Sequence, residues 1–169
     1  MIRIVTIDEY DPAILKELTK ILFQAFAVGT EHAGSVDVPP TNEALDAHLL
    51  LNSLPKVQAY SDDKVLFITT RKLAPRKLLS GEAPTYGLSH YNRQRAIVSS
   101  AAIKGLAENV PTFARLAMQE IGHTFGLRHC LDPRCTMYPQ WTPTYLQGDA
   151  AFCVFCREQS EQRIRHLKS

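Results

Sequence analysis

Long apolar runs, an apolar leader and a strong excess of one charge are all missing from this sequence. No stretch approaches the roughly 18 consecutive apolar residues that a membrane-spanning helix needs, and the first residues are too few and too charged for a secretory signal. The formal net charge is only +2, whereas nucleic-acid-binding domains usually carry a denser basic patch. We therefore expect a cytoplasmic protein with no membrane or nucleic acid partner. At 169 residues, we expect a single domain, 1–169, and a monomer.

Cysteine is also scarce, and its placement is uneven. The chain has only four cysteines, all between positions 130 and 156, whereas a disulfide scaffold usually spreads them along the chain. The spacings C-x4-C and C-x2-C, in a chain expected to stay in the cytoplasm, favour a structural zinc held by all four thiolates. Disulfides and free thiols are the alternatives. The predicted ligands of the structural zinc are Cys130, Cys135, Cys153 and Cys156.

A stretch with the spacing of a catalytic metal site lies upstream of the cysteines, in residues 119–129. On an α-helix Gln119 and His123 are four residues apart and share a face, and Glu120 can reach a metal-bound water. Gly126 can take a positive φ and end the helix in a sharp turn, which returns His129 to the same site. Three protein ligands with one open position are typical of a catalytic zinc.

With histidine at position 119, this stretch would read H-E-x-x-H-x-x-G-x-x-H, the zinc-binding motif of the metzincin metallopeptidases. It continues directly into Cys130, Cys135 and Met137 as C-x4-C-x-M, and a C-x2-C pair follows. Over residues 119–156 the chain therefore resembles the archaemetzincins, whose extended signature has the same order with a slightly longer linker before the last pair. Upstream of residue 119 the likeness is limited to the order of elements and a few short segments.

The resemblance implies a fold. It is α/β and metzincin-like, with a twisted, mixed, mostly parallel sheet, helices that cover it and an active-site helix. An N-terminal subdomain, 1–126, would be followed by a small irregular C-terminal subdomain, 127–169. The latter would hold the four-cysteine zinc knuckle and a C-terminal helix.

The resemblance also implies an activity and roles for named residues. An archaemetzincin is a zinc metallopeptidase, a hydrolase in which a metal-activated water attacks a peptide bond, and Glu120 would be the general base. His123 and His129 would be ligands of a catalytic Zn²⁺ with Gln119 in the first ligand position, and Met137 would be the Met-turn residue beneath the metal. The implied partner is a peptide or protein substrate, bound along an edge strand at 77–83 or at 85–90.

Gln119 is where the sequence departs from the motif. Its side chain offers only a neutral amide oxygen, whereas zinc prefers imidazole nitrogen, thiolate sulfur or carboxylate oxygen. We therefore expect one filled structural zinc site and a catalytic site that is weak or empty. We interpret Gln119 as a natural replacement of the first motif histidine that arose by drift. The alternatives are a laboratory substitution and a variant in which Gln119 still binds zinc weakly. The alternative function is a catalytically inactive, peptide-binding pseudo-peptidase on the same scaffold. A zinc-knuckle nucleic-acid binder is disfavoured by the near-neutral charge.

Hydrophobic periodicity and helix caps predict the elements that support the site. The elements expected are a buried strand at 2–7, a helix from Pro12 capped by Asp11, a loop at 30–42, a helix from 41 or 42 to 54, strands at 65–69 and 96–100, and the motif helix from Pro111. A loop around Trp141 and Pro143 is expected to form one side of the substrate cleft.

Overall fold

The computed structural model of the chain describes residues 1–57, 60–140 and 145–167. Strands and helices fill the N-terminal part, and an irregular stretch separates them from the last helix. The strands are β1 (Ile2–Thr6), β2 (Thr30–Ser35), β3 (Lys64–Thr69), β4 (Arg76–Leu78), β5 (Gly81–Ala83), β6 (Gly87–Ser89) and β7 (Arg95–Ser99). The helices are α1 (Pro12–Phe26), α2 (Ala47–Ser53), α3 (Val110–Thr124) and α4 (Val154–Leu167), with a 3-10 turn at Tyr145–Gln147.

Five of the strands form one sheet in the order β2-β1-β3-β7-β6. The first four run parallel, and β6 pairs antiparallel with β7 at one edge. The predicted fold class, a mixed and mostly parallel sheet with helices, is confirmed. The edge strand β6 packs against α3 and lies within the second of the two segments that the sequence offered for the edge, 85–90.

Helices cover both faces of the sheet, as parallel strands require. Alternate residues point to opposite faces, so that Ile4 and Leu66 join the core on the side of α1 and α3, whereas Val5 and Phe67 join the core on the side of α2. All six residues of β3 are buried, as expected of a central strand. Most of α3 is buried as well, which places its polar side chains inside the protein.

Two predictions about residues 30–54 are wrong. The expected loop at 30–42 is partly a strand, because β2 pairs with β1 at the outer edge of the sheet. Its side chains are exposed or half-buried, so it lacks the hydrophobic alternation that marks a strand in the sequence. The second helix begins at Ala47 rather than at 41 or 42, because Asp46 caps it by accepting a hydrogen bond from the Leu49 N–H at 2.9 Å.

The C-terminal part of the chain packs against α3. Leu127, Met137 and Phe152 belong to the same buried core as Ile121 of α3, so residues on both sides of position 126 share one interior. The division into 1–126 and 127–169 stays a prediction. None of the helices in the described ranges is both long and apolar enough to cross a membrane.

Candidate active site

α3 carries three of the motif residues, and the turn after it delivers the fourth. Gln119, Glu120 and His123 lie near the C-terminal end of the helix. The Gly126 N–H closes the helix by donating to the His123 carbonyl at 2.9 Å, and Gly126 has φ 85°. A glycine tolerates this left-handed conformation at a helix end. The turn brings His129 back beside His123.

The two histidines lie side by side and can act as neutral nitrogen ligands of a metal ion. Their rings lie at right angles with centroids 4.7 Å apart. His123 Nδ1 lies 2.8 Å from the Leu127 carbonyl oxygen, and because a carbonyl only accepts, Nδ1 carries the proton and Nε2 stays available as a ligand. Burial lowers the pKa of His123. Burial, followed by the neighbouring His123 and Arg76, lowers the pKa of His129 to about 4.

Glu120 lies in the wall of the same cleft and is only 1% exposed. Its Oε1 accepts a hydrogen bond from Gln140 Nε2 at 2.5 Å, and the side chain of Ser89 also bonds to it. Burial raises the pKa of Glu120 to about 7, although these two hydrogen bonds and the charge of Arg76 act in the opposite direction. A carboxyl group with a pKa near neutrality can both accept and donate a proton.

The cleft in front of these side chains has a volume of about 470 Å³. One wall is the edge strand β6, whose Leu88 and Ser89 face it, and another is the end of α3. Two arginines, Arg76 and Arg128, also line it, and Glu120 is the only acidic residue among the described residues that do so. The cleft is therefore lined by a strand edge, two imidazoles, a carboxyl group and two cations.

Gln119 directly precedes Glu120 on α3 and is fully buried. Its Nε2 donates to the Tyr138 carbonyl at 2.5 Å, whereas its Oε1 has no hydrogen-bond partner among the described residues. The donor set therefore fits zinc only in part. His123 and His129 are ligands that zinc accepts readily, and Gln119 has one unpartnered amide oxygen to add.

Met137 is completely buried beneath the helix. A Cβ placed on Gly122 would come within 2.7 Å of the Met137 Sδ, so the absence of a side chain at 122 lets the methionine pack directly under the motif. The structure thus brings Met137 to the underside of the helix that carries the histidines. Tyr138 follows it and contributes its carbonyl to Gln119.

The four cysteines form one cluster. Their Sγ atoms all lie within 4.8 Å of one another, and Cys130 Sγ is 3.8 Å from Cys153 Sγ. Sulfurs that share a tetrahedral zinc at about 2.3 Å are roughly 3.8 Å apart. Backbone N–H groups at Met137 and Cys153 point at Cys135 Sγ, each at 3.4 Å. All four cysteines are unpaired, and the cluster fits the predicted zinc knuckle rather than disulfides.

Arg115, which was not predicted from the sequence, attaches this cluster to α3. Its side chain is fully buried and lies over the ring of Tyr145, with Cζ 4.6 Å from the ring centroid. The guanidinium donates to the backbone carbonyls of Cys135 at 2.9 Å and Arg134 at 3.2 Å, and also to the backbone carbonyl of Asp149. A charged residue within the apolar face of a predicted helix is the signal that could have revealed it.

The structure brings together most of the predicted site. Glu120, His123 and His129 meet in one cleft, and the cysteines meet in another cluster. Gln140 and Ser89, which hold Glu120, were not predicted because no spacing rule connects loop or strand residues to a distant helix. The expected wall at Trp141 and Pro143 lies outside the described residues.

A comparison with known proteins gives the family. Over 146 residues, the chain is 30% identical to an archaemetzincin of Methanocaldococcus jannaschii, an alignment that covers 78% of this chain and 75% of the relative. The chain belongs to the archaemetzincin family. This confirms the family predicted from the motif and, at the level of the family, the enzyme class of metallopeptidase.

Other archaemetzincins match over almost the whole chain. One from Pyrococcus furiosus is 24% identical across 97% of this chain and 94% of its own length. The crystal structure of the Methanopyrus kandleri archaemetzincin superposes with a TM-score of 0.78 at 20% identity, covering 97% of this chain and 94% of that one. This likeness establishes the shared fold. No family model matches the sequence.

Proposed function

We propose that this protein is a zinc-dependent metallopeptidase of archaemetzincin type, with Glu120 as general base and with His123 and His129 as ligands of a catalytic Zn²⁺. One observation carries the proposal. The hydrogen bond from His123 Nδ1 to the Leu127 carbonyl, 2.8 Å long, leaves Nε2 available next to His129, and Glu120 lines the same cleft. Peptides or proteins would be the substrates.

Each residue of the site then has its own role in the reaction. When bound, zinc supplies a Lewis acid that polarises the peptide carbonyl. Glu120, with its pKa raised to about 7 by burial, takes a proton from the attacking water and passes it to the leaving amine. The edge strand β6 offers backbone hydrogen-bonding groups to an extended peptide. Met137 would support the site from below.

Gln119 in the first ligand position makes the catalytic zinc weak or absent. Its amide nitrogen is committed to the Tyr138 carbonyl at 2.5 Å, so only Oε1 could face a metal, and a neutral amide oxygen is a poor zinc ligand. This observation favours a second candidate function. The protein would be a pseudo-peptidase that binds peptides along β6 without cutting them.

A second zinc, held by Cys130, Cys135, Cys153 and Cys156, is proposed as structural. The mutual approach of the sulfurs within 4.8 Å supports it, and a bound metal would further stabilise the irregular segment around them.

The test is to measure zinc per chain by elemental analysis of reduced protein dialysed against trace zinc. Two zinc ions per chain would favour the peptidase, and hydroxamate-sensitive cleavage of a peptide library should then follow. One zinc, lost together with folding on alkylation of the cysteines, would favour the pseudo-peptidase. Peptide binding that survives Glu120→Ala while no cleavage is detected in the unaltered chain would decide for the latter. A chain with no zinc at all would contradict both proposed sites.

A further inference from the structure

Gln140 connects the proposed general base to the edge strand. Its Oε1 accepts hydrogen bonds from the N–H groups of Tyr86 and Gly87, each at 3.1 Å, and its Nε2 donates to Glu120 Oε1 at 2.5 Å. The two backbone N–H groups fix the orientation of the amide, because they only donate and so must face Oε1, which leaves Nε2 to donate to Glu120. The side chain is 9% exposed, so little water competes for these bonds.

Glu120 is also in tight contact with the strand itself. A Cβ at Gly87 would lie 2.7 Å from Glu120 Cγ and 3.0 Å from the Ile97 carbonyl oxygen, so there is no room between the base and β6. Ser89, on the same strand, bonds to the carboxyl group. The position of Glu120 is therefore set relative to the strand along which a peptide would lie.

Residues 138–140, which we call the strap, bind two consecutive residues of α3. The Tyr138 carbonyl accepts from Gln119 Nε2 at 2.5 Å, and Gln140 holds Glu120. Because Gln140 also binds the start of β6, the strap is the element that joins the helix to the strand at the base of the cleft.

We propose that Gln140 is a positioning residue for Glu120, holding its carboxylate in register with the edge strand. The inference rests on the proposed function, since the register matters only if Glu120 acts on a bound peptide. Hydrogen bonds to a charged group are among the stronger ones in proteins, and small misplacements of a reacting group lower rates severely. Removal of the donor should therefore lower kcat by roughly 10- to 100-fold while KM changes little.

Gln140→Glu is the matched variant. It keeps the shape of the side chain and an oxygen for the Tyr86 and Gly87 N–H groups, but it turns the donor that faces Glu120 into an acceptor. Gln162→Glu, on the exposed side of α4, introduces the same charge elsewhere and is the control. Combining Glu120→Gln with Gln140→Glu, which we call the exchanged pair, restores one donor and one acceptor with their positions exchanged.

The first readout needs no activity. In NMR spectra of the full chain loaded with zinc, the Gln140 side-chain NH₂ signals should move and exchange faster with water in Glu120→Ala. The Tyr86 and Gly87 amide signals should shift in Gln140→Ala and return toward their original positions in the exchanged pair. Signals that stay unchanged in Glu120→Ala and in Gln140→Ala would overturn the proposal.

The second readout is kinetic, in the background of Gln119→His, which we expect to bind the catalytic zinc more tightly. A fall in kcat for Gln140→Glu, with Gln162→Glu unaffected, supports the positioning role. An unchanged kcat, or an effect confined to KM, would overturn it. If no variant cleaves any peptide, the proposed function fails together with the catalytic consequence, whereas the NMR signals still decide whether Gln140 holds Glu120.

Discussion

The substitution Gln119→His is the most direct perturbation of the candidate site. Gln119 is fully buried, and its amide is divided between a bonded Nε2, 2.5 Å from the Tyr138 carbonyl, and an Oε1 with no partner among the described residues. Histidine would replace this amide by an imidazole nitrogen one helical turn before His123 on α3. The expected result is a large gain in affinity for the catalytic zinc.

The size of the gain follows from the added ligand. Loss of a partner that merely orients a metal ligand typically costs about 10- to 100-fold in affinity, so a direct ligand should contribute at least about 100-fold, or about 2.8 kcal/mol. The lost bond to Tyr138, about 1 kcal/mol, and the removal of the unpartnered Oε1, about 1 to 3 kcal/mol, change the stability of the fold. They act alike with and without bound zinc, so the gain in zinc affinity should appear nearly in full.

The assay is equilibrium dialysis against a graded series of free zinc concentrations, with zinc per chain measured by elemental analysis. The cysteine cluster should fill first in every variant. The second zinc should bind to Gln119→His at a free concentration about 100-fold or more below that needed by the unaltered chain. Gln119→Leu is the matched control, because it removes the amide without adding a ligand. Identical binding curves for the histidine and leucine variants would refute the reasoning.

Three further predictions test other parts of the structure. Burial raises the pKa of Glu120 to about 7, above an unfolded value of about 4.3, so the folded apo-protein holds a proton that the unfolded chain releases. This contribution to stability is present below the unfolded pKa and is lost as pH rises through the folded one. From about pH 5 to about pH 8, the free energy of urea unfolding should therefore fall about 3 kcal/mol further in the unaltered chain than in Glu120→Gln, and equal pH trends would contradict this. Cys135→Ser should release the structural zinc and lower stability by several kcal/mol, as elemental analysis and thermal unfolding would show; retained zinc would exclude the knuckle. Gly122→Ala would place Cβ 2.7 Å from the Met137 Sδ and should cost about 1 to 2 kcal/mol, because overpacking outweighs the gain in helix propensity. A double-mutant cycle with Met137→Ala should give a coupling above about 0.5 kcal/mol, and simple additivity would rule out the contact.

The parts of the fold that the sequence could predict are those where one element carries its own signal. Asp11 caps α1 by accepting from the Ala13 N–H at 2.7 Å, as the Asp-Pro pair indicated. β3 and β7 are buried apolar runs. The strand β2 has no such run, because it lies at an edge with mostly exposed side chains. It is a strand because its backbone pairs with β1, and no pattern in its own residues predicts this.

The same division holds in the candidate site. Glu120, His123 and His129 could be grouped from spacing because one helix and one turn fix their geometry. Gln140 and Ser89 reach Glu120 from a loop and from an edge strand, and their approach depends on how separate elements pack. Spacing along the chain carries no information about such contacts. Only the tertiary structure reveals that the carboxyl group is held from two sides.

The cysteine cluster and the cleft are linked through shared contacts. Zinc bound at the cluster is therefore not by itself evidence of peptidase activity. Arg115 is a buried cation that, among the residues the structure describes, bonds to backbone carbonyls and to no carboxylate. Four thiolates around Zn²⁺ carry a net charge of about −2, which would balance the guanidinium and favour its burial beside them. The strap begins directly after this segment, and the Cys130 N–H donates to the Met137 carbonyl at 2.8 Å. Losing the structural zinc should therefore loosen the strap and its hold on Glu120, whether or not the chain cuts peptides. A zinc that the chain needs in order to fold would be present in a peptidase and in a peptide-binding scaffold alike, so the second zinc is the one that bears on activity.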